Sequence, residues 1–245
     1  MFRIFLLLLL LLSQLPSTIA VYGVDVSTPT SVSSAQCLKN AGYSFAIPRA
    51  WKSFGEFDAS APGSVSSFWQ SGFTHVDVYL FPCSFGMPAS TQVNQLKGNL
   101  TSNSVKYGMV WLDIEENQDP ACSWRRSKSD NCAFLGDLIQ ASEAAGFNTG
   151  IYTSVHEFGL FFEMNCTVGS HLPLWYPHYE SPPQPNYNDF SVSPFSFYFT
   201  YTFPLSSFLC IDPCRVAATY FYPPPSPPSP FIALCWLDYP RNKTI

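Results

Sequence analysis

From residue 22 to about residue 180, short apolar runs alternate with stretches of helical period. This order is what βαβ units and a parallel sheet produce. The sharpest run is 107–117, YGMVWLDIEEN. Read as a strand, it sets Val110, Leu112 and Ile114 on one face and Trp111, Asp113 and Glu115 on the other. Aliphatics on one side and acids on the other suit a parallel barrel strand, with helices over its outer face and the site at its C-terminal end. Residues 74–82 (THVDVYLFP) repeat the pattern: His75, Asp77, Tyr79 and Phe81 oppose Val76, Val78 and Leu80.

The other elements follow from the same periodicities. Strands are expected at 22–27 (YGVDVS), at 43–47 and at 148–153. Pro48 is expected to stop the second of these, leaving Arg49 and Trp51 just beyond it. A further strand at 172–179 (LPLWYPHY) is interrupted by Pro177, which argues an edge-like or irregular position. Helices are expected at 31–40, 65–70 and 92–100. Another carries the stripe Phe134, Leu135, Leu138, Ile139 and Ala145, with Gly146 placed as its C′ residue. Ser154 and Glu157 have the spacing of a capping box for a helix running to Met164. After Tyr179 the character changes. Residues 191–235 are crowded with Phe, Tyr, Pro and Ser, hold neither period for long, and include YPPPSPPSP at 222–230, a polyproline II composition.

The first twenty residues add a compartment. Arg3, the apolar run 4–12 and Thr18-Ile19-Ala20 form the three regions of a secretory signal peptide, too short to span a bilayer. A secreted (extracellular, lysosomal or digestive-lumen) protein is expected. All eight cysteines follow that segment, so disulfides are expected rather than metal ligands. Cys122 and Cys132 bracket a polar loop and suggest a local bridge; the other pairings stay open. Sequons at Asn99, Asn165 and Asn242 fit the same route. The formal net charge of −5 and the lack of any basic run argue against nucleic acid and against an anionic membrane surface.

The candidate chemistry lies on the acids. Asp113 and Glu115 stand at i and i+2, about 6.6 Å apart along a strand rising ~3.3 Å per residue. One acid to protonate a leaving oxygen and one carboxylate to meet developing positive charge is the requirement of glycoside hydrolysis. An equal reading is a solvated acidic loop, since Glu116 and Asp119 follow at once. If the strands form one barrel, Asp25, Asp77, Tyr79, Asp113, Glu115, Tyr152 and Trp175 could converge at its mouth. Singly, Asp25 could cap a turn, Asp77 could be a buried acid satisfied by backbone donors, and the aromatics could be packing. His75 reads as structural. No zinc-like cysteine spacing or Gly-rich phosphate loop is present, so no metal or organic cofactor is expected.

The segments YGVDVS, YSFAIPRAW, HVDVYLFPC, YGMVWLDIE, GIYTS and LPLWYPHY, in this order, resemble the glycoside hydrolase family 25 lysozymes of animals and protists. The resemblance covers roughly residues 21–190 and implies an irregular TIM-like (β/α) barrel. It also implies cleavage of the β-1,4 bond between N-acetylmuramic acid and N-acetylglucosamine in bacterial peptidoglycan, for digestion or antibacterial defence. On it, Glu115 falls on the general acid, Asp113 on the carboxylate that orients the substrate N-acetyl group or stabilises the intermediate, and Asp25 on the first-strand aspartate. Asp77, Tyr79, Tyr152 and Trp175 fall in the substrate groove. Neighbouring carboxylates at 113 and 25 would disfavour ionising Glu115.

The family closes its barrel with two more strands bearing Trp-x-Lys-Pro-like and Lys-Gln-Tyr-like segments and a late aspartate, and none of these follows Phe190. The expected organisation is a signal peptide (1–20), a lysozyme-like domain (21–190) and an atypical tail (191–245), the barrel incomplete or poorly ordered beyond about 190. Competing readings are a non-catalytic secreted barrel with a binding or signalling role and a chitinase-like barrel, whose longer acidic motif is absent.

Overall fold

The computed structural model describes residues 22–177 together with two strands at 197–200 and 219–220. The elements alternate as β1 (Tyr22–Val26), α1 (Val32–Asn40), β2 (Tyr43–Lys52), β3 (Glu56–Phe57) and α2 (Ala61–Gln70). There follow β4 (His75–Val76), β5 (Val78–Leu80), α3 (Ala89–Ser102), β6 (Val110–Asp113) and α4 (Lys128–Ala144). The last are β7 (Thr149–Tyr152), α5 (Val155–Phe161), β8 (Pro173–Tyr176), β9 (Phe197–Thr200) and β10 (Thr219–Tyr220).

The strands form one sheet in the order β10-β1-β2-β5-β6-β7-β8-β9, with β3 and β4 paired to β2 off that path. Neighbours from β1 to β9 along the path are parallel, and β10 runs antiparallel to β1. The sheet curls into a half-barrel. Among the described residues no ladder joins β9 to β10. Both lie beyond residue 190, so the atypical tail contributes a strand to each flank of the sheet. The polyproline run at 222–230 lies outside the described residues.

The alternation read from sequence sorts the two faces. Val76, Val78, Leu80, Val110, Leu112 and Ile114 are fully buried in the larger core beneath the helices. On the concave face, Phe45, Ile47, Tyr79, Trp111, Tyr152 and Trp175 form a second, aromatic cluster. Each fully buried large side chain contributes roughly 1.5–3 kcal/mol.

Helix ends follow local chemistry. Ser31, Ser127 and Ser154 each accept a backbone N–H three residues on. Gly146 closes α4 with φ 73°, donating to Glu143 O while Phe147 N–H reaches Ser142 O. Helices α2, α3 and α4 begin earlier than the apolar stripes alone indicate. Pro62 at the start of α2 has a missing N–H that would be an orphan there in any case.

Three sequence expectations are corrected. Strand β2 does not stop at Pro48: it runs to Lys52, because Pro48 meets Val26, the last residue of β1, and the ladder to β5 begins only at Arg49. The expected strand at 74–82 is two pieces flanking Asp77, whose N–H donates to Ala46 O. Strand β8 is no edge, since β7 and β9 flank it and Pro177 falls after its last residue.

The disulfides also differ. Cys122 bonds Cys83 and Cys132 bonds Cys166. Helix α4 already contains Cys132 and turns it toward the loop after α5, whereas Cys122 folds back against the loop after β5. Cys37 is disulfide-bonded as well.

Candidate active site

The carboxylates gather at the C-terminal ends of the strands. Asp113 is the last residue of β6 and pairs in register with Tyr152, which pairs with Trp175. Paired residues of a parallel ladder point to the same face, so these three form one row on the concave side. A second row, one step deeper, contains Arg49, Tyr79 and Trp111. Beyond β6, the Ile114 N–H still donates to Tyr152 O at 2.8 Å, which carries the alternation on to Glu115. Asp25 on β1 stands opposite Ile47, a concave-face residue of β2.

Asp113 is only 7% exposed, and its Oδ1 has no hydrogen-bond partner among the described residues. Burial drives its carboxyl well above the ordinary value, and the charges of Glu115, Asp25 and Glu157 push it further; Arg49 opposes them. Tyr79 is shifted up by burial and by Asp113 and Asp25, so it remains a phenol able to donate a hydrogen bond. Arg49 is the cation set against these acids. It is held from both sides, its Nε donating to Asp58 Oδ2 at 2.9 Å and a terminal nitrogen to Ser27 O at 2.8 Å. Burial raises Asp58, but the Ser60 hydroxyl, the Ser60 N–H and Arg49 outweigh it and hold the carboxyl below its usual range.

The loop carrying Glu115 is fixed at several points. Trp124 Nε1 donates to Glu115 O at 3.0 Å, and the Glu116 N–H donates to Glu157 Oε2 at 2.8 Å. Buried Asn117 donates to Ser53 O, Pro82 O and Cys122 O, clamping the loops after β2, β5 and β6 together. The Cys83–Cys122 bridge adds a covalent tie between the last two. Glycine is required at position 150 of β7, where a Cβ would stand 2.3 Å from the Trp111 ring.

Of the seven residues singled out by sequence, Asp25, Tyr79, Asp113 and Glu115 act on one electrostatic cluster. Tyr152 and Trp175 lie in the aromatic floor, buried and edge to face with ring centroids 4.7 Å apart. Asp77 sits lower and is 2% exposed. Its Oδ1 accepts the Met109 N–H at 2.6 Å and contacts His75 Nε2 at 2.7 Å, while its Oδ2 accepts Trp111 Nε1 at 2.9 Å. Its described contacts are therefore with the protein's own donors. Among the described residues no group of three or more His, Cys, Asp or Glu could hold a metal ion.

A family model described as Lysozyme-like protein 1 matches residues 17–202. Probable GH family 25 lysozyme 2 of Dictyostelium discoideum is 42% identical over 176 residues, covering 70% of this chain and 77% of that protein. Probable GH family 25 lysozyme 4 of the same organism is 35% identical over 191 residues, covering 78% and 85%. The chain belongs to the glycoside hydrolase family 25 lysozymes. A muramidase from Acremonium alcalophilum shares the fold of this family 25 lysozyme with a TM-score of 0.57, at 18% identity over 77% of this chain and 89% of that one.

Two residues of this lysozyme's site escaped the sequence reading. Glu157 was accounted for as the last member of a capping box, and its N–H does meet Ser154 Oγ, but its carboxylate turns to the Glu116 backbone and to the acid cluster. Arg49 stood beyond a proline expected to end its strand. Continuing the alternation through Pro48 would have placed it on the concave face with Ile47.

Proposed function

We propose that this chain is a secreted lysozyme that hydrolyses the β-1,4 bond between N-acetylmuramic acid and N-acetylglucosamine in bacterial peptidoglycan, on an irregular TIM-like barrel. The observation that carries the reading is the buried Asp113 amid Asp25, Glu115 and Glu157 at the strands' C-terminal ends. Burial and the neighbouring acids raise the proton affinity of Asp113, and protonated and ionised carboxyls side by side are what glycoside hydrolysis requires. Glu115, half-buried beyond the strand end, is the general acid for the leaving oxygen. Asp113 is the carboxylate that accepts the N–H of the substrate's N-acetyl group, a bond that favours its ionised form. Asp25 and Asp113 then face the positive charge developing on the sugar. The apolar segment 4–12 and the disulfides, Cys83–Cys122 and Cys132–Cys166 among them, support a secretory route.

The test is release of reducing sugar from purified peptidoglycan. Wild type is expected to release it, and folded Glu115→Gln to lose at least about 100-fold in turnover, the scale of a general acid. Folded wild type without activity would overturn the reading in favour of a non-catalytic barrel.

A further inference from the structure

On the same rim as the carboxylates, the loops after β5 and β6 carry a feature that the hydrolytic chemistry does not use. Phe85 is 46% exposed, and Arg125 lies over its ring with Cζ 4.3 Å from the centroid. Arg126 stands 5.8 Å from the same ring and 5.6 Å from that of Phe134. Among the described residues no carboxylate lies within 4.0 Å of either guanidinium. Nearby acids have local donors: Glu116 accepts from Gln118, Asp119 from the Ala121 N–H, and Asp130 from the Ser127 hydroxyl.

The support is rigid. The Cys83–Cys122 bridge and the bonds from Ser84 N–H and Oγ to Cys122 O tie the Phe85 loop to the arginine loop. Trp124, the residue before Arg125, donates to the carbonyl of Glu115. A guanidinium resting its face on an aromatic ring keeps its N–H edge for a carboxylate, held in place before the ligand arrives.

We infer that Arg125 and Arg126, supported by Phe85, form a docking site for the carboxylates of the peptide stems that branch from the glycan. The inference rests on the lysozyme reading above. It deepens that reading by adding recognition of the wall's peptide to cleavage of its sugar. The occupant follows from charge complementarity: N-acetylated sugar rings are neutral, and the stems bring carboxylates along the strand. With a net charge of −5, the protein as a whole does not attract an anionic polymer, so the attraction is local to this pair.

The experiment uses the full chain carrying Glu115→Gln, which binds without cutting, and measures its affinity for two glycan preparations. One is phosphodiester-free peptidoglycan with intact stems; the other is the same material with its stem carboxylates converted to neutral amides. Adding Arg125→Ala and Arg126→Ala is expected to weaken binding to the carboxylate-bearing glycan about tenfold and to leave binding to the amidated glycan unchanged. Replacement of both by lysine, which keeps charge but not the flat bidentate edge, is expected to recover only part of the loss. Equal loss on both preparations, or no loss on either, overturns the docking site while leaving the lysozyme reading intact. So does a loss that appears only on walls carrying phosphodiester polymers. A parent that binds neither preparation overturns both.

Discussion

The carboxylate of Glu157 accepts the backbone N–H of Glu116 at 2.8 Å, so the first turn of α5 fixes the residue next to Glu115. The same carboxylate adds to the charge that makes Asp113 hold its proton. Glu157→Gln keeps an acceptor oxygen and removes the charge, whereas Glu157→Ala removes both. The glutamine variant is therefore expected to let Asp113 ionise at lower pH, read as a downward shift of the Asp113 carboxyl resonance in an NMR titration. The alanine variant should show the same shift together with a fall in turnover that glutamine largely avoids. An unchanged titration in both would separate Glu157 from the cluster.

Asp113 itself opposes folding at neutral pH. Its carboxyl binds a proton more tightly in the folded chain than in the unfolded one, so stability declines as pH rises from the ordinary value of 3.8 through the raised folded value. Asp113→Asn removes the group that must ionise. The variant is expected to melt a few degrees above wild type at neutral and higher pH, with the two curves converging below 3.8. Its hydrolytic activity should fall at the same time, a trade of stability for chemistry that calorimetry and sugar release read separately.

His75 behaves in the opposite sense. Its hydrogen bond to Asp77 raises the ring's proton affinity, burial lowers it, and the charge of Asp77 raises it further; the net shift is upward. The resulting stability is present below the unfolded value of 6.5 and is lost as pH rises through the folded one. Wild type should therefore exceed His75→Gln in melting temperature by more at about pH 5.5 than at about pH 8.5. The ring is partly exposed, so solvent keeps the difference modest. A gap independent of pH would mean that the pair contributes only packing.

Asn117→Ala removes one amide that donates to carbonyls in three loops. Leaving those acceptors without their donor is expected to destabilise the protein by about 2–3 kcal/mol in a denaturant titration. Cleavage by protease should appear first within residues 82–87 and 117–124, where the Cys83–Cys122 bridge holds the loops together but no longer fixes their spacing.

The sequence carried the strand faces and the acids because period 2 is a local property. Val110, Leu112 and Ile114 against Trp111, Asp113 and Glu115 needed no knowledge of neighbours, and the caps at Ser154 and Gly146 were equally local. What depended on the fold was lost. Cys122 and Cys132 are near in sequence, yet a helix start between them sends their side chains to different loops. Pro48 is a strand breaker only where its missing N–H would leave a gap in a ladder, and here its partner Val26 is the last residue of β1. Asp77 and Asp113 look alike on alternating strands, but in the folded chain the first meets an indole, a histidine and a backbone N–H while the second meets other acids. Residues 197–200 and 219–220 lie in a composition without periodicity, and only their ladders to β8 and β1 mark them as strands.

Those two ladders bear on how the chain is made. Tyr22 pairs with Tyr220, so β1 waits about two hundred residues for its outer neighbour, at a synthesis rate of roughly 5–20 residues per second. Until then its outer edge is a row of unpaired N–H and C=O groups, able to template pairing with another nascent chain. Strand β8 waits only about twenty residues for β9. The central strands β5, β6 and β7, with the acids they carry, can assemble while synthesis continues. The β1 flank closes last, so the period of greatest aggregation risk comes after the central strands have already been built.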